Sequence, residues 1–362
     1  MNIGLLYPIK ERKETGVRNL IKGTIKETLN MDNDNKYYLL EEPYFETETY
    51  TFPLVRWGGS KEESQKYDFQ CYLKNIDIMH SYWNTFEEMN SKCLKVFTIY
   101  DLIPLIHPEW HTLHDYFDGP VRKSVEQADF IISISEYTKK DIVEHYGISA
   151  EKIKVIYPGL QQTLNFNNDY IGVLEKYKLE EGYLLAVGTL EPRKNLRGLI
   201  NSFILYKKMR PKSKIKLVIT GMLGWDQNFE NEIESIGEYR NEIVLTGFVD
   251  DKTLSDLYKR AIAIAYVSLY EGFGLPILEA MSAGKTVITS EVTSMPEVGG
   301  DAVLYCNPYN NESIADAIMK IIENQELRRQ LEKKSLEQAK KFSYEKAAKE
   351  TIEIYSKLKG WN

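Results

Sequence analysis

The chain carries three cysteines in 362 residues, Cys71, Cys93 and Cys306. They are too few and too scattered for a disulfide framework or a zinc site, which fits a reducing cytoplasm. Nowhere do 18 or more apolar residues follow one another, so no transmembrane helix is expected. The opening "MNIGLLYPIK" lacks a charged leader ahead of a long apolar stretch, so no signal peptide is expected either. A basic excess is also missing. The first 160 residues hold 19 Lys and Arg against 25 Asp and Glu, the remainder 27 against 28, for a net charge of −7. Nucleic acid, which needs a row of cations against its phosphates, is excluded as a partner. No GxGxxG follows the first apolar run, which argues against a dinucleotide-dependent oxidoreductase. His80, His107, His111 and His114 are not spaced as ligands on one helix face, so they read as surface or structural residues and no metal site is expected.

What is present is enough apolar material, 43% of a chain this long, for two buried cores. In the second half, "YLLAVGTL" (183–190), "KIKLVITG", "EIVLTGFV", "IAIAYVS", "KTVITS" and "AVLYCNP" read as buried strands. Between them lie helical patterns: residues 194–209 with Leu196, Leu199, Ile200, Phe203 and Ile204 on one face, a helix through about Tyr239, "DDKTLSDLYKRA" with an acidic start, and most of 311–341. The first half repeats the theme with "NIGLLYP", "KYYLLE", "IDIMHS", "KVFTIYD", "DFIISIS" and "IKVIYP", and helices near 16–30, 119–127 and 136–146. Continuously apolar strands separated by helices predict parallel sheets covered on both faces. The seam falls between Pro158 and Gly182. The predicted architecture is two α/β domains facing a central cleft, residues 1–160 and residues 161–342.

Four stretches sit at carboxyl ends of strands, where open α/β sheets bind ligands. "YEGFGLPILEA" (270–280) places Glu271 in a loop and Glu279 about one turn into a helix. Gly272 and Gly274 clear side chains from the helix entry, and Pro276 suits an early helical position. Such a layout suits a ligand with hydroxyls at two places and a phosphate between them, as in a nucleotide-sugar; solvated glutamates at an ordinary helix entry are the plain alternative. "VGTLEPRKNL" (187–196) puts Arg193 and Lys194 at the start of the next helix, where cations are misplaced unless an anion meets them. "KETGVRN" (13–19), with Gly16 and Val17, follows the first strand, and "TIYDLIPLIHPEW" (98–110) holds Tyr100 and Asp101, the latter suited equally to orienting a hydroxyl and to capping a turn.

Together, "VGTLEPRKNL", "LTGFVDD", "YEGFGLPILEAMSAGKTVITS" and "SMPEVGGDAVLYCNP" resemble the retaining glycosyltransferases of family four, closely over 183–310 and more loosely through "ADFIISISEYTKKDI" and "EKIKVIYPG". The resemblance implies a GT-B fold of two Rossmann-like α/β domains, with a last helix at 343–362 that returns to pack on the first. It implies that Glu271, first of an E-x7-E pair, contacts hydroxyls of the transferred sugar, and that Glu279 holds the ribose. Phe273, Gly274 and Leu275 would meet the sugar and phosphates with their backbone. Arg193 and Lys194, behind Gly188, would grip the diphosphate, and Phe248 and Val249 would lie near the base. Two positions depart from the family: Thr189 stands where many members have Arg, and Tyr100 where many have His.

The implied reaction moves a hexose from a GDP- or UDP-linked donor, with GDP-mannose favoured over UDP-glucose, to a glycan or lipid-linked saccharide in cell-surface polysaccharide synthesis. It would retain the anomeric configuration and need no metal or cofactor, with the departing diphosphate helping to take the acceptor proton. Competing readings are a nucleotide-sugar 2-epimerase and a catalytically silent nucleotide-sugar sensor or partner subunit. Trp83 and Trp110 are candidates for stacking on an acceptor sugar, and Arg122-Lys123 or Lys139-Lys140 for a patch that meets the inner membrane face.

Overall fold

A computed structural model of the protein describes residues 1–7, 16–41, 51–53, 66–68, 76–82, 93–110, 118–160, 164, 166, 172–180, 182–222, 224 and 229–360. The chain forms two compact units, residues 1–161 with 342–362, and residues 162–341.

Six parallel strands make the sheet of the first unit: β1 (Asn2–Tyr7), β2 (Lys36–Glu41), β3 (Ile78–Ser81), β4 (Leu94–Ile99), β5 (Phe130–Ser133) and β6 (Ile153–Val155). Their order is β2-β1-β3-β4-β5-β6. A short antiparallel pair, residues 51–53 with 66–68, forms a sheet of its own. Strands β3 and β5 are buried along their whole length, as a sheet covered on both faces requires, with the polar residues His80, Ser81 and Ser133 buried among the apolar ones. Helix α1 (Gly16–Met31) covers one face and packs against the last helix, Tyr344–Lys359. That docking depends on Gly23, because a Cβ there would lie 2.3 Å from the ring of Tyr344. The last helix is also tied inward by polar contacts. Tyr355 Oη lies 2.5 Å from Nδ1 of buried His80, whose Nε2 lies 2.8 Å from Thr98 Oγ1. Burial takes the His80 pKa down to about 3, so the ring is neutral and structural.

The second unit has its own parallel sheet: β7 (Leu184–Val187), β8 (Leu217–Thr220), β9 (Ile243–Gly247), β10 (Ala263–Tyr266), β11 (Val287–Ser290) and β12 (Leu304–Cys306). The order is β9-β8-β7-β10-β11-β12. Within the unit this is the doubly wound pattern 3-2-1-4-5-6, in which the chain reverses its direction of travel between the first and fourth strands. Here that point lies between β7 and β10, paired through Ala263–Leu184 and Ile264–Leu185. Connections leaving those two strands diverge, so their loops open a crevice at the carboxyl edge.

Helix α2 (Leu196–Met209) buries Leu196, Leu199, Ile200, Phe203 and Tyr206 against this sheet, the i, i+3, i+4, i+7 spacing visible in the sequence. Helix α3 (Asp251–Arg260) starts where the Asp250 carboxylate accepts the Thr253 amide at 2.7 Å, a cap worth about 1 kcal/mol. The helix expected through Tyr239 is shorter, Phe229–Glu234, and a 3-10 turn at Gly237–Glu242 leads into β9.

Candidate active site

The loops after β7 and β10 meet at the switch point of the second sheet. Leaving β7, Gly188 takes φ +148, a conformation that L side chains rarely adopt. The stem of Lys194 lies against it, so that an added Cβ would sit 3.4 Å from Lys194 Cε. Half-buried Thr189 follows, and its carbonyl accepts the Glu191 amide at 2.8 Å.

Arg193 and Lys194 do not begin α2, contrary to the sequence expectation. They end a 3-10 turn, Pro192–Lys194, and Asn195 then adopts φ +54 before the helix starts at Leu196. A left-handed residue interrupts the helical path, and Asn tolerates it better than most. The Asn195 side chain holds the break in place by donating to Val267 O at 3.2 Å and Pro308 O at 2.7 Å. The Leu269 amide donates to Arg193 O at 2.8 Å, which laces the two loops together. The turn therefore swings both cations toward the loop after β10.

There they meet Glu271. Arg193 Nη1 donates to Glu271 Oε2 at 2.5 Å, and Lys194 Nζ donates to Oε1 at 2.7 Å. Arg193 Nε also donates to Glu191 Oε2 at 2.8 Å, and Lys194 Nζ to Tyr266 Oη at 2.7 Å. The anion that the two cations require is thus supplied from within. Glu271 is 6% exposed. Burial alone would raise its pKa, but the Arg193 guanidinium and the Lys194 ammonium outweigh it and take the carboxyl down to about 2. Lys194 moves the other way: burial and the neighbouring guanidinium lower its pKa, and Glu271 offsets part of the shift.

The loop that carries Glu271 is braced by residues the sequence reading did not single out. Buried Ser294 donates from Oγ to the carbonyls of Glu271 (2.9 Å) and Phe273 (2.8 Å). Thr293, itself at φ +54, accepts the Glu271 amide on Oγ1 at 3.3 Å. Gly272 is buried, and Phe273 turns its side chain into the interior. Gly274 takes φ +115 and caps α4 (Leu275–Ser282), its carbonyl accepting the Ile277 amide at 3.0 Å, while Pro276, second in the helix, has no N–H to offer. Gly274→Ala is expected to lower stability by about 1–3 kcal/mol, from strain at that φ and a Cβ 3.1 Å from Ile277 Cδ1, and to lower the thermal midpoint by several degrees. Glu279, one turn into α4, is half-buried and accepts the Tyr258 hydroxyl at 2.6 Å. Burial raises its pKa above the ordinary 4.5, despite the Tyr258 hydrogen bond that favours the charged form.

Other expected positions lie farther from this cluster. Phe248, after β9, is 71% exposed and Val249 is half-buried, both at the carboxyl edge of the same sheet. In the first unit, Gly16 is the exposed first residue of α1, and Val17 is half-buried. Tyr100 is buried, lining with His80, Tyr82 and Thr98 a cavity of about 30 Å³. Asp101 Oδ1 accepts the Ile103 amide at 3.1 Å, the turn-capping role. Trp110 is stacked on His107 at 3.9 Å, which occupies one ring face. Trp83, His111, His114 and residues 8–15 lie outside the described residues. Arg122 pairs with Asp118 at 3.3 Å and Lys140 with Glu144 at 3.8 Å, so each expected basic doublet has one cation already matched by an acid. Among the described residues no helix is long and apolar enough to cross a membrane, and no group of three or more His, Cys, Asp and Glu is placed to hold a metal ion.

Comparison with known proteins bears on this geometry. Residues 175–338 match the family described as Glycosyl transferases group 1, and residues 49–162 match Glycosyltransferase Family 4. The chain is 34% identical over 274 residues to O-antigen chain mannosyltransferase B of Escherichia coli, covering 73% of this chain and 70% of that protein. It is 28% identical to the serotype-specific mannosyltransferase WbdA of Escherichia coli, over 72% of this chain but only 33% of that longer protein. Among solved structures, Anabaena HepE in complex with UDP superimposes with a TM-score of 0.74 at 16% identity, covering 99% of this chain and 100% of that one. That likeness shows the GT-B fold. Two family matches that follow one another along the chain, and a relative matched over most of both lengths, lead to one conclusion: the protein belongs to glycosyltransferase family 4.

Proposed function

We propose that the protein transfers a hexose, mannose before glucose, from a GDP- or UDP-linked donor to a glycan or lipid-linked saccharide in cell-surface polysaccharide synthesis, with retention of anomeric configuration and without a metal ion. One observation carries this reading. Arg193, Lys194 and Glu271 converge at the switch point of the second sheet, with the amino end of α4 and Glu279 beside them. Two cations and a helix amino terminus suit a diphosphate. Two carboxylates eight positions apart suit hydroxyls on either side of it, the sugar at Glu271 and the ribose at Glu279. In this reading the backbone of Phe273, Gly274 and Leu275 lies along sugar and phosphates, and Phe248 and Val249 lie toward the base.

Transfer then depends on orientation and on charge stabilisation as the diphosphate departs. Arg193 and Lys194 hold the developing negative charge, and the diphosphate takes the proton that the acceptor hydroxyl loses. The name of the Escherichia coli relative favours mannose, and hence a GDP-linked donor. Acceptor recognition falls to the first unit, with Gly16 and Val17 at the start of α1. Tyr100, which lines a cavity with Leu20 and Thr24 of α1, and turn-bound Asp101 belong to the same unit and are assigned to the acceptor side with them. A lipid-linked acceptor would bring the protein to the inner face of a membrane as a peripheral visitor.

Calorimetric titration with GDP and UDP, without divalent metal, followed by turnover of the matching nucleotide-sugars, tests the proposal. Binding of one nucleotide and hydrolysis or transfer of its sugar supports it. Binding without turnover favours a silent sensor, and binding of neither removes the donor site. The pH profile adds a check. The depressed pKa of Glu271 keeps it ionised well below pH 4.5, whereas the raised pKa of Glu279 makes it the first of the two to protonate as pH falls. Nucleotide affinity should therefore weaken on the acid side through Glu279, at a pH above 4.5, and Glu279→Gln should abolish that limb; an unchanged limb in the variant would assign it elsewhere.

A further inference from the structure

We infer that Tyr258 is a positioning residue for the nucleotide ribose, acting through Glu279. The inference rests on the donor-site reading above and adds a residue to it. Tyr258 lies in the last turn of α3, with no exposed surface, and its ring meets Phe166 edge-on at 6.4 Å between centroids. Packing of this kind needs a ring and no hydroxyl, so Phe would fill the same space. Among the described residues, the hydrogen bond this hydroxyl makes is to Glu279 Oε2, 2.6 Å away on a different helix and 21 positions along the chain.

The consequence for Glu279 is geometric. A glutamate side chain has three rotatable bonds, and a half-buried one with no anchor samples several directions. Tyr258 holds one carboxylate oxygen, which leaves Oε1 and the remaining lone pair of Oε2 to accept from a diol. The same bond favours the charged carboxylate, the form that accepts both ribose hydroxyls, against burial and against the nearby Asp251 carboxylate, both of which favour the neutral acid. A sequence comparison of motifs would not single out this tyrosine, because its effect passes through another side chain.

The test compares each nucleotide with its 2′,3′-dideoxy form, using calorimetry on the full chain, for wild type, Tyr258→Phe, Glu279→Gln and the double variant. Wild type is expected to prefer the ribonucleotide by about tenfold or more, the scale of one hydrogen bond to a charged group. Tyr258→Phe is expected to shrink that preference to about twofold while leaving dideoxynucleotide affinity within about twofold of wild type. In the Glu279→Gln background, where the carboxylate is already gone, adding Tyr258→Phe should leave the preference unchanged. Equal weakening of both nucleotides in Tyr258→Phe would show a packing role and overturn the inference while the donor site stands. An unchanged preference would overturn it as well. Wild type binding no nucleotide would instead remove the donor-site reading and this inference with it. Glu279→Gln alone measures the ribose preference should the phenylalanine variant prove unstable, and a wild-type preference in that variant would also overturn the inference.

Discussion

Lys194→Ala is expected to reduce sugar transfer by about 10²–10³-fold, or about 3–4 kcal/mol of transition-state stabilisation. The ammonium sits buried between Glu271 and Tyr266, and it is one of two cations placed for the diphosphate. The bound donor already carries charge on its diphosphate and gains more as the sugar leaves. The loss should therefore fall on both KM for the donor and kcat, with the added charge weighting it toward kcat. Glu271 then keeps one cation in place of two, and its carboxyl should rise from about 2 toward the ordinary range. Removing one member of a buried ionic cluster also lowers stability, by up to about 3–5 kcal/mol if nothing relaxes; the retained Arg193 bond should keep the cost below that ceiling. Steady-state kinetics with a thermal melt on the same sample separates the two effects. Transfer at the wild-type rate by a folded Lys194→Ala protein would end the proposed mechanism.

Glu271→Gln is expected to change binding and catalysis in opposite directions. In the unligated site the Glu271 carboxylate occupies both cations, each oxygen taken by one of them. A diphosphate must compete with that carboxylate before Arg193 and Lys194 can grip it. Glutamine keeps the shape and removes the competing charge. Free GDP or UDP should then bind about tenfold more tightly, by the ~1.4 kcal/mol that a partly relieved charge pair supplies, and the gain should shrink as salt rises. Transfer should nevertheless fall by about 10²-fold or more, because a neutral amide accepts more weakly from the sugar hydroxyls. Calorimetry at two salt concentrations and a transfer assay decide the matter. Weaker nucleotide binding in Glu271→Gln would mean that the carboxylate positions the cations rather than competing for them.

Much of this arrangement is legible in the chain itself. Apolar runs such as "YLLAVGTL" and "IAIAYVS" have the length and continuity that suit a covered parallel strand, and β7 and β10 form within them. Residues just beyond those runs must lie at a carboxyl edge, which is why Gly188, Arg193, Lys194, Glu271 and Glu279 stand out by position as well as by type. Less of the local geometry can be read in this way. The periodicity of residues 194–209 runs a helix through Lys194 and Asn195, yet Asn195 takes a left-handed conformation and its side chain donates to the carbonyls of Val267 and Pro308, both remote in sequence. Tyr258, Tyr266 and Ser294 look like ordinary residues of apolar helices, strands and turns. Each gains its role from contacts across 21 to 72 positions: Tyr258 to Glu279, Tyr266 to Lys194 and Ser294 to the carbonyls of Glu271 and Phe273.

The sequence by itself determined which segments are strands and helices, the covered parallel sheets that follow from them, and the set of charged residues delivered to one sheet edge. Those properties depend on periodicity and composition, which are local. Tertiary structure decided that Glu271 and the two cations neutralise one another, that Thr293 and Ser294 brace the loop between Tyr270 and Gly274, and that Glu279 is held by Tyr258. Distances between side chains on different strands and helices depend on strand order and on where each loop turns. In this protein the chain reverses between β7 and β10, and that reversal brings the two halves of the site within hydrogen-bonding distance.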